Sequence, residues 1–182
     1  TKLPQAEVNA GVFKWREGES RYNFWGIEYA GVNPETGNDQ YWKTIYETND
    51  KGEKVVKERV KTENYNEVTS DSQQKYLGDA IPKLFGGFTN NFSYKGIDYS
   101  IGGKLYDSDY AQSMYYRRGY SMHPDMLDSW TPENPNAEFP RLTTYYNYAN
   151  YMSSYTSKFI FNNSFARLRN VTLGYTLPKN FT

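Results

Sequence analysis

The clearest pattern in the chain is a strict two-residue alternation between positions 88 and 107. Along FTNNFSYK, Phe88, Phe92 and Tyr94 share one face, while Thr89, Asn91, Ser93 and Lys95 occupy the other. After Gly96, IDYSIGGKLYD sets Ile97, Tyr99, Ile101 and Leu105 against Asp98, Ser100, Gly102 and Lys104. Side chains of a strand point alternately to its two faces, so period two with one apolar phase reads as β-structure. The two runs form a hairpin, with a tight turn expected at Lys95-Gly96. A third strand is expected at 165–177, where Val171, Leu173, Tyr175 and Leu177 alternate with Asn170, Thr172, Gly174 and Thr176 before Pro178 ends it. Shorter strands are expected at 6–15, 22–30 and 41–46, and GVNPETGND at 31–39 has the Pro, Gly and Asn chemistry of a turn.

Two long stretches break this pattern. Residues 47–75 are rich in charge and nearly free of core residues. They read either as a flexible charged loop or as a solvated hairpin built on the alternating KVVKERVK. Residues 108–157 are rich in Tyr and Pro and read as one long outward loop, with HPDMLDSW forming a short helix inside it. That loop includes WTPENPNAEFPR at 130–141, where Pro132, Pro135 and Pro140 each lack an amide donor and bias the preceding residue away from helix. About fifty residues between two strong strands is unusual in a compact domain.

Composition narrows the class. The 182 residues carry 21 basic and 21 acidic side chains, so no charge excess points to nucleic acid. There is no cysteine, which excludes disulfide scaffolds and thiolate metal sites and leaves the compartment open. Aromatic residues make up 18% of the chain, 19 of them tyrosine, at a mean hydropathy of −0.89. That is too aromatic for disorder and too polar for an aliphatic core, and it suits strands with one wet face. No run of about 18 apolar residues is present for a membrane helix, whereas a membrane β-strand needs only about 10 alternating residues. The chain starts at TKLPQAEVNAG, without initiator Met or signal core, and stops at LPKNFT. It reads as a piece of something larger.

No catalytic constellation can be assembled. The single histidine, His123, sits beside a proline and reads as a surface residue. Asp125, Asp128, Glu133 and Glu138 cluster in sequence, but spacing inside a Pro-rich loop does not define a glycosidase pair. GVNPETGND lacks the ligand spacing of a calcium loop, and Gly86-Gly87 and Gly102-Gly103 precede no helix that would make a phosphate site. NFS, NNS and NVT match a glycosylation sequon but read as composition. The tyrosines fit either a sugar-stacking platform or the aromatic girdle of a membrane strand.

YLGDAIPKLFGGFTNNFSYKGIDYSI, LDSWTPENPNAEFPRL and SFARLRNVTLGYTLPK together resemble the SusC/RagA family of TonB-dependent outer-membrane transporters, and AGVNPETGNDQY resembles a turn of the same family. These patches occur in family order across about 30–179. The resemblance implies an all-β fold, antiparallel strands forming part of a barrel of about 22 strands, with the plug domain outside this chain. It also implies transport and no enzyme activity or cofactor: uptake of oligosaccharides or peptides across the bacterial outer membrane under a SusD-like lipoprotein lid, driven by TonB-ExbB-ExbD through the plug. In that setting the turn at Lys95-Gly96 faces the periplasm and residues 108–157 lie outside the cell. Phe88, Phe92, Tyr94, Ile97, Tyr99, Ile101, Leu105, Val171, Leu173 and Tyr175 would face outer-membrane lipid. Asn91, Ser93, Asp98, Ser100, Asn170 and Thr172 would face the lumen. Tyr115, Tyr116, Arg117, Trp130, Glu133 and Arg141 would form a rim contacting the lid, with Trp130 buried against MYYRRGY of its own loop and Arg141 or Arg117 paired with Glu133 or Glu138. The competing reading is a secreted β-sandwich that binds glycan, in which the apolar stripes would be buried between two sheets.

Overall fold

A computed structural model describes residues 2–3, 5–89, 96–101, 103–107, 122–142 and 156–170. Their regular structure is antiparallel β-sheet with short 3₁₀ turns. At the N-terminus β1 (Glu7–Ala10) and β2 (Phe13–Arg16) form a hairpin, so the stretch 6–15 is two strands, and Gly11 takes the left-handed turn conformation at φ 66°. β3 (Asn23–Gly26) joins β2 through Phe13↔Phe24, whose rings stack at 4.9 Å, and then pairs with β7 (Lys75–Asp79). The sheet order is β1-β2-β3-β7.

β4 (Tyr29–Val32), β5 (Asp39–Thr48) and β6 (Lys54–Thr62) make a second sheet in sequence order. Residues 47–75 are therefore no continuous charged loop. The hairpin alternative is the one observed, with β6 lying along β5 from Tyr41↔Thr62 to Thr48↔Lys54. Its turn is held by Asn49 Oδ1, which accepts hydrogen bonds from the amides of Lys51 and Glu53 at 3.0 and 2.9 Å. Charge does not keep this hairpin apart, because its cations find rings and carboxylates. The Arg59 and Lys61 charges lie 4.9 and 5.6 Å from the Trp42 ring centre. Beyond it, a 3₁₀ turn at Tyr65–Val68 buries Tyr65 and Val68 against Ile27 and Tyr41. Gln73 then covers the open edge of β5, accepting from Thr44 N at 2.7 Å and donating to Thr44 O at 2.8 Å.

The third sheet has the order β12-β9-β8, with β8 (Leu84–Thr89), β9 (Gly96–Ile101) and β12 (Phe165–Asn170). The expected hairpin is present, but its register differs. Thr89 pairs with Gly96, so Gly96 is a strand residue and no two-residue turn falls at Lys95-Gly96. The first strand begins at Leu84, earlier than the alternation suggested, and Asn91, Phe92, Ser93, Tyr94 and Lys95 lie outside the described residues. The second strand is broken at 102–103. Its outer part, β10 (Lys104–Tyr106), pairs with β11 (Ile160–Asn162). Because Lys104↔Asn162 and Ser100↔Phe165 follow one another along the same antiparallel run, these four short strands are two long arms with an irregularity between them. The amide of Asn163 bonds Gly103 O at 2.9 Å across that irregularity. The third predicted strand thus starts at Ile160, and its portion from Val171 onward, including Thr172, Leu173 and Tyr175, lies outside the described residues.

The connection between the two arms returns to the body of the molecule at Thr156, which is fully buried and bridges to Ile27. The amide of Ser157 donates to Ile27 O at 2.9 Å, and Ser157 Oγ accepts from Tyr29 N at 2.9 Å. Next to this suture, Lys158 Nζ meets Asp39 Oδ1 at 3.1 Å, with both side chains almost completely buried. The Tyr29 hydroxyl donates to the same oxygen at 2.7 Å, and the ammonium lies 4.7 Å from the Tyr29 ring centre. Phe159 anchors a second small core with Met126, against which Tyr106, Met122 and Phe139 pack.

Removing one member of a buried ion pair leaves the other charge uncompensated, at a cost of about 3 to 5 kcal/mol. Lys158→Met is expected to lose hydrogen-exchange protection at the Ser157 and Tyr29 amides, and Lys158→Met combined with Asp39→Asn to recover most of it. Unchanged protection in the single variant would show that the pair does not hold the suture.

Candidate functional site

The two motifs that stood out in sequence, GVNPETGND and WTPENPNAEFPR, meet in space. The first forms a tight loop closed by hydrogen bonds from Asn33 N to Asn38 O and from Gly37 N to Asn33 O, both 2.8 Å. The second is preceded by a 3₁₀ turn at Pro124–Asp128, the short helix expected there, capped by His123, whose Nδ1 accepts from Asp125 N at 3.3 Å. The lone histidine is thus a capping residue. Ser129 and Phe139 are bridged, and Trp130 N donates to Phe139 O at 2.9 Å, which draws the base of the Pro-rich loop together.

Trp130 joins the two loops. Its Nε1 donates to Pro34 O at 2.9 Å, and Arg141 N donates to Gly37 O at 2.8 Å. The indole lies flat on Gly37, where an added Cβ would stand 2.4 Å from Trp130 Cε3. Gly37 also has φ +71°, so backbone conformation and close approach both demand glycine. Trp130 is half-buried and packs on a loop nearly a hundred residues away in sequence. Sequence spacing carried no signal for this partner. The segment MYYRRGY, against which Trp130 was expected to bury, lies outside the described residues.

Glu63, at the end of β6, organises the loop from beneath. Its carboxylate accepts hydrogen bonds from Asn33 Nδ2, from Thr36 Oγ1 at 2.8 Å and from Asn38 Nδ2 at 2.8 Å. Partial burial pushes the Glu63 carboxyl up, but the donors of Asn38, Thr36 and Asn33, together with the Arg141 charge, outweigh burial and hold it below the usual range. The electrostatic neighbour of Arg141 is therefore Glu63, and among the described residues Arg141 makes no ion pair with Glu133 or Glu138. The oxygen-rich look of GVNPETGND reflects donors and acceptors satisfied within the protein. No group of three or more His, Cys, Asp or Glu side chains suited to a metal occurs among the described residues.

Beyond this clasp the chain presents a polar tip. Thr131, Pro132, Glu133, Asn134, Pro135 and Asn136 are all exposed, yet the tip is closed on itself by Asn134 N donating to Thr131 O at 2.9 Å. Of the other expected rim residues, Tyr115, Tyr116 and Arg117 lie outside the described residues. The tryptophans leave little for a sugar-stacking platform. The rings of Trp15, Trp25 and Trp42 are covered by Arg21, by Lys14 and Arg16, and by Arg59 and Lys61, and Trp130 lies on Gly37.

Gly37→Ala is expected to release the clasp, read as faster protease cleavage within 129–141. Left-handed backbone alone costs about 1 to 2 kcal/mol. Gly18→Ala, at φ +80° with open space around it, isolates that part. The depressed Glu63 pKa gives a stabilisation that is present above the ordinary carboxylate value and is lost as pH falls through the lowered one. Acidification should therefore expose the same segment, and Glu63→Gln should abolish that pH dependence.

No protein-family model matches the chain. Among curated proteins it is 28% identical over 172 residues to TonB-dependent receptor P3 of Formosa agariphila, covering 91% of this chain and 16% of that protein. It is 27% identical over 176 residues to TonB-dependent receptor P26 of the same organism, covering 88% of this chain and 16% of that one. Among solved structures it superposes on the RagAB peptide importer in its closed-closed state at TM-score 0.63 with 20% identity, covering 98% of this chain and 19% of that one. The open-open state gives TM-score 0.61 and 21% identity, with 100% and 19% covered. The chain thus spans less than a fifth of the proteins it matches. Its homologues are TonB-dependent receptors, and its fold is that of the matching part of the RagAB peptide importer.

Proposed function

We propose that this chain supplies wall strands and outer rim to a TonB-dependent importer in the bacterial outer membrane. The observation that carries the reading is the three-stranded sheet. Leu84 pairs with Ile101, and Phe88 with Ile97 and in turn Leu168, so these positions fall on one face with Gly86, Tyr99 and Ala166 between them. Leu84, Ile101 and Leu168 are 54%, 52% and 54% exposed. A β-sandwich would bury them under a second sheet, whereas a barrel turns such a face to lipid. The opposite row carries Asp98, Ser100 and Arg167, as expected of a lumen, and also Phe85 and Phe165, which the alternation had not placed there. Leu105 and Phe161, paired across β10 and β11, extend the exposed apolar positions outward.

In this reading the fifty-residue connection and the β4-β5-β6 sheet stand outside the cell. The clasp holds the 131–136 tip rigidly at the rim, where a SusD-like lipoprotein would close over oligosaccharide or peptide cargo. Prolines and the clasp lower the entropy lost when that tip is engaged. Energy would come from TonB-ExbB-ExbD through a plug domain.

Three substitutions in the full-length receptor separate wall from rim. Leu168→Lys is expected to lower outer-membrane abundance, since a cation on a lipid-facing strand costs about 2 to 4 kcal/mol near the midplane. Arg167→Gln, on the other row, should not lower it. Trp130→Ala should leave abundance unchanged but impair uptake or lid association. Wild-type abundance for Leu168→Lys would defeat the lipid-facing assignment, and normal uptake by Trp130→Ala would defeat the rim.

A further inference from the structure

An open hollow of about 440 Å³ lies at the end of β7, lined by Arg21, Tyr22, Tyr76, Ile81, Pro82 and Lys83. Ser20 and Asp79 complete the lining and are tied together, since Asp79 Oδ1 accepts from Ser20 Oγ at 3.1 Å and from the Ile81 amide at 2.9 Å. Tyr22, Tyr76 and Ile81 are all exposed. Arg21 and Lys83 are exposed as well, and neither forms an ion pair among the described residues. The Arg21 guanidinium lies 5.1 Å from the Trp15 ring centre, a contact that holds the charge in place without neutralising it.

Two cations against one carboxylate that is already engaged make the hollow complementary to an anion. Its volume falls within the range of about 300 to 1,000 Å³ of small-molecule sites, so a lone inorganic ion would leave the exposed rings uncovered. A phosphate joined to hydrocarbon answers both characters. Position points the same way. Ile81, Pro82 and Lys83 lead directly into Leu84, the first residue of β8 and one end of its exposed apolar face. In the reading proposed above, β8 runs inward from its Leu84 end, so the hollow stands where the strand passes from hydrocarbon to the outer headgroup layer. Aromatic side chains favour that depth, and basic pockets beside membrane segments hold anionic headgroups.

We infer that this hollow is a binding site for the phosphate headgroup of an outer-leaflet lipid, with Arg21 and Lys83 on its oxygens and Tyr22, Tyr76 and Ile81 along the start of its hydrocarbon. The inference rests on the lipid-facing reading of the β12-β9-β8 sheet and adds to it one specific lipid held at one place.

Native mass spectrometry of the full-length receptor in neutral detergent tests it. The probes are lipid A, which carries phosphate and hydrocarbon, phosphatidylcholine, which has no net charge, and glycerol 3-phosphate, which has no hydrocarbon. Lipid A is expected to bind in preference to both. Arg21→Gln combined with Lys83→Gln should weaken lipid A binding about thirtyfold, and Lys83→Gln alone about fivefold. Lys51→Gln combined with Lys54→Gln removes two exposed cations at the β5-β6 turn and should leave binding unchanged. The thermal midpoint of each variant reports folding separately from binding. Equal binding of phosphatidylcholine or glycerol 3-phosphate, wild-type binding by the Arg21 and Lys83 variants, or an equal loss in the Lys51 and Lys54 control would overturn the site. Leu168→Lys keeps the two readings apart: reduced abundance there, with wild-type lipid A binding by the Arg21 and Lys83 variants, leaves the wall standing and removes this site alone.

Discussion

The buried pair Lys158–Asp39 is the interaction on which the return of the chain to the β4-β5-β6 sheet depends. Two charges taken out of water are tolerated only when each is the other's partner and further bonds satisfy what remains. Here the Tyr29 hydroxyl and the rings of Tyr29, Phe139 and Phe159 surround the ammonium and carboxylate. One Asp39 oxygen, Oδ2, still has no hydrogen-bond partner, so the pair is a device for placement more than for raw stability. It fixes where the fifty-residue connection must land: Lys158 at the head of β11, Asp39 at the head of β5, and nowhere else. The Ser157 and Thr156 bonds to Ile27 and Tyr29 follow from that position.

The same economy appears elsewhere. Among the described residues, two small clusters, each part aromatic, stand in place of one aliphatic core. Between them, cations on aromatic faces and carboxylates on cations do what aliphatic packing does elsewhere. Lys14 is the sharpest case. Burial lowers its pKa, but the Asp71 and Glu7 carboxylates more than compensate, so it stays charged while almost fully buried. It ties the β1-β2 hairpin to the segment that leads into β7.

The three-stranded sheet and the clasp are held together by different physics. In the three-stranded sheet, backbone pairing sets the register, and exposed apolar residues stand on both faces, Leu84, Ile101 and Leu168 on one and Phe85 and Phe165 on the other. In the clasp, order comes from single residues: Gly37 beneath Trp130, and Glu63 beneath three side-chain donors.

What the sequence determined by itself was periodic or local. Alternation at 97–101 defined β9 and its two faces, the Pro and Gly content of 31–39 made a turn, and the capped Pro124–Asp128 made a short helix. Each depends on neighbours a few residues apart. Sequence alone does not decide the strand at 54–62, because charge on a strand is favourable or unfavourable according to what faces it, and the Trp42 ring and the Glu28 and Glu47 carboxylates that decide it lie outside that strand. The hairpin register moved for the same reason: alternation fixes which residues share a face but not which pair across strands. The Trp130–Gly37 contact and the Lys158–Asp39 pair could be settled only by the tertiary structure. They join residues about a hundred positions apart, and a contact at that distance leaves no period in the chain to read.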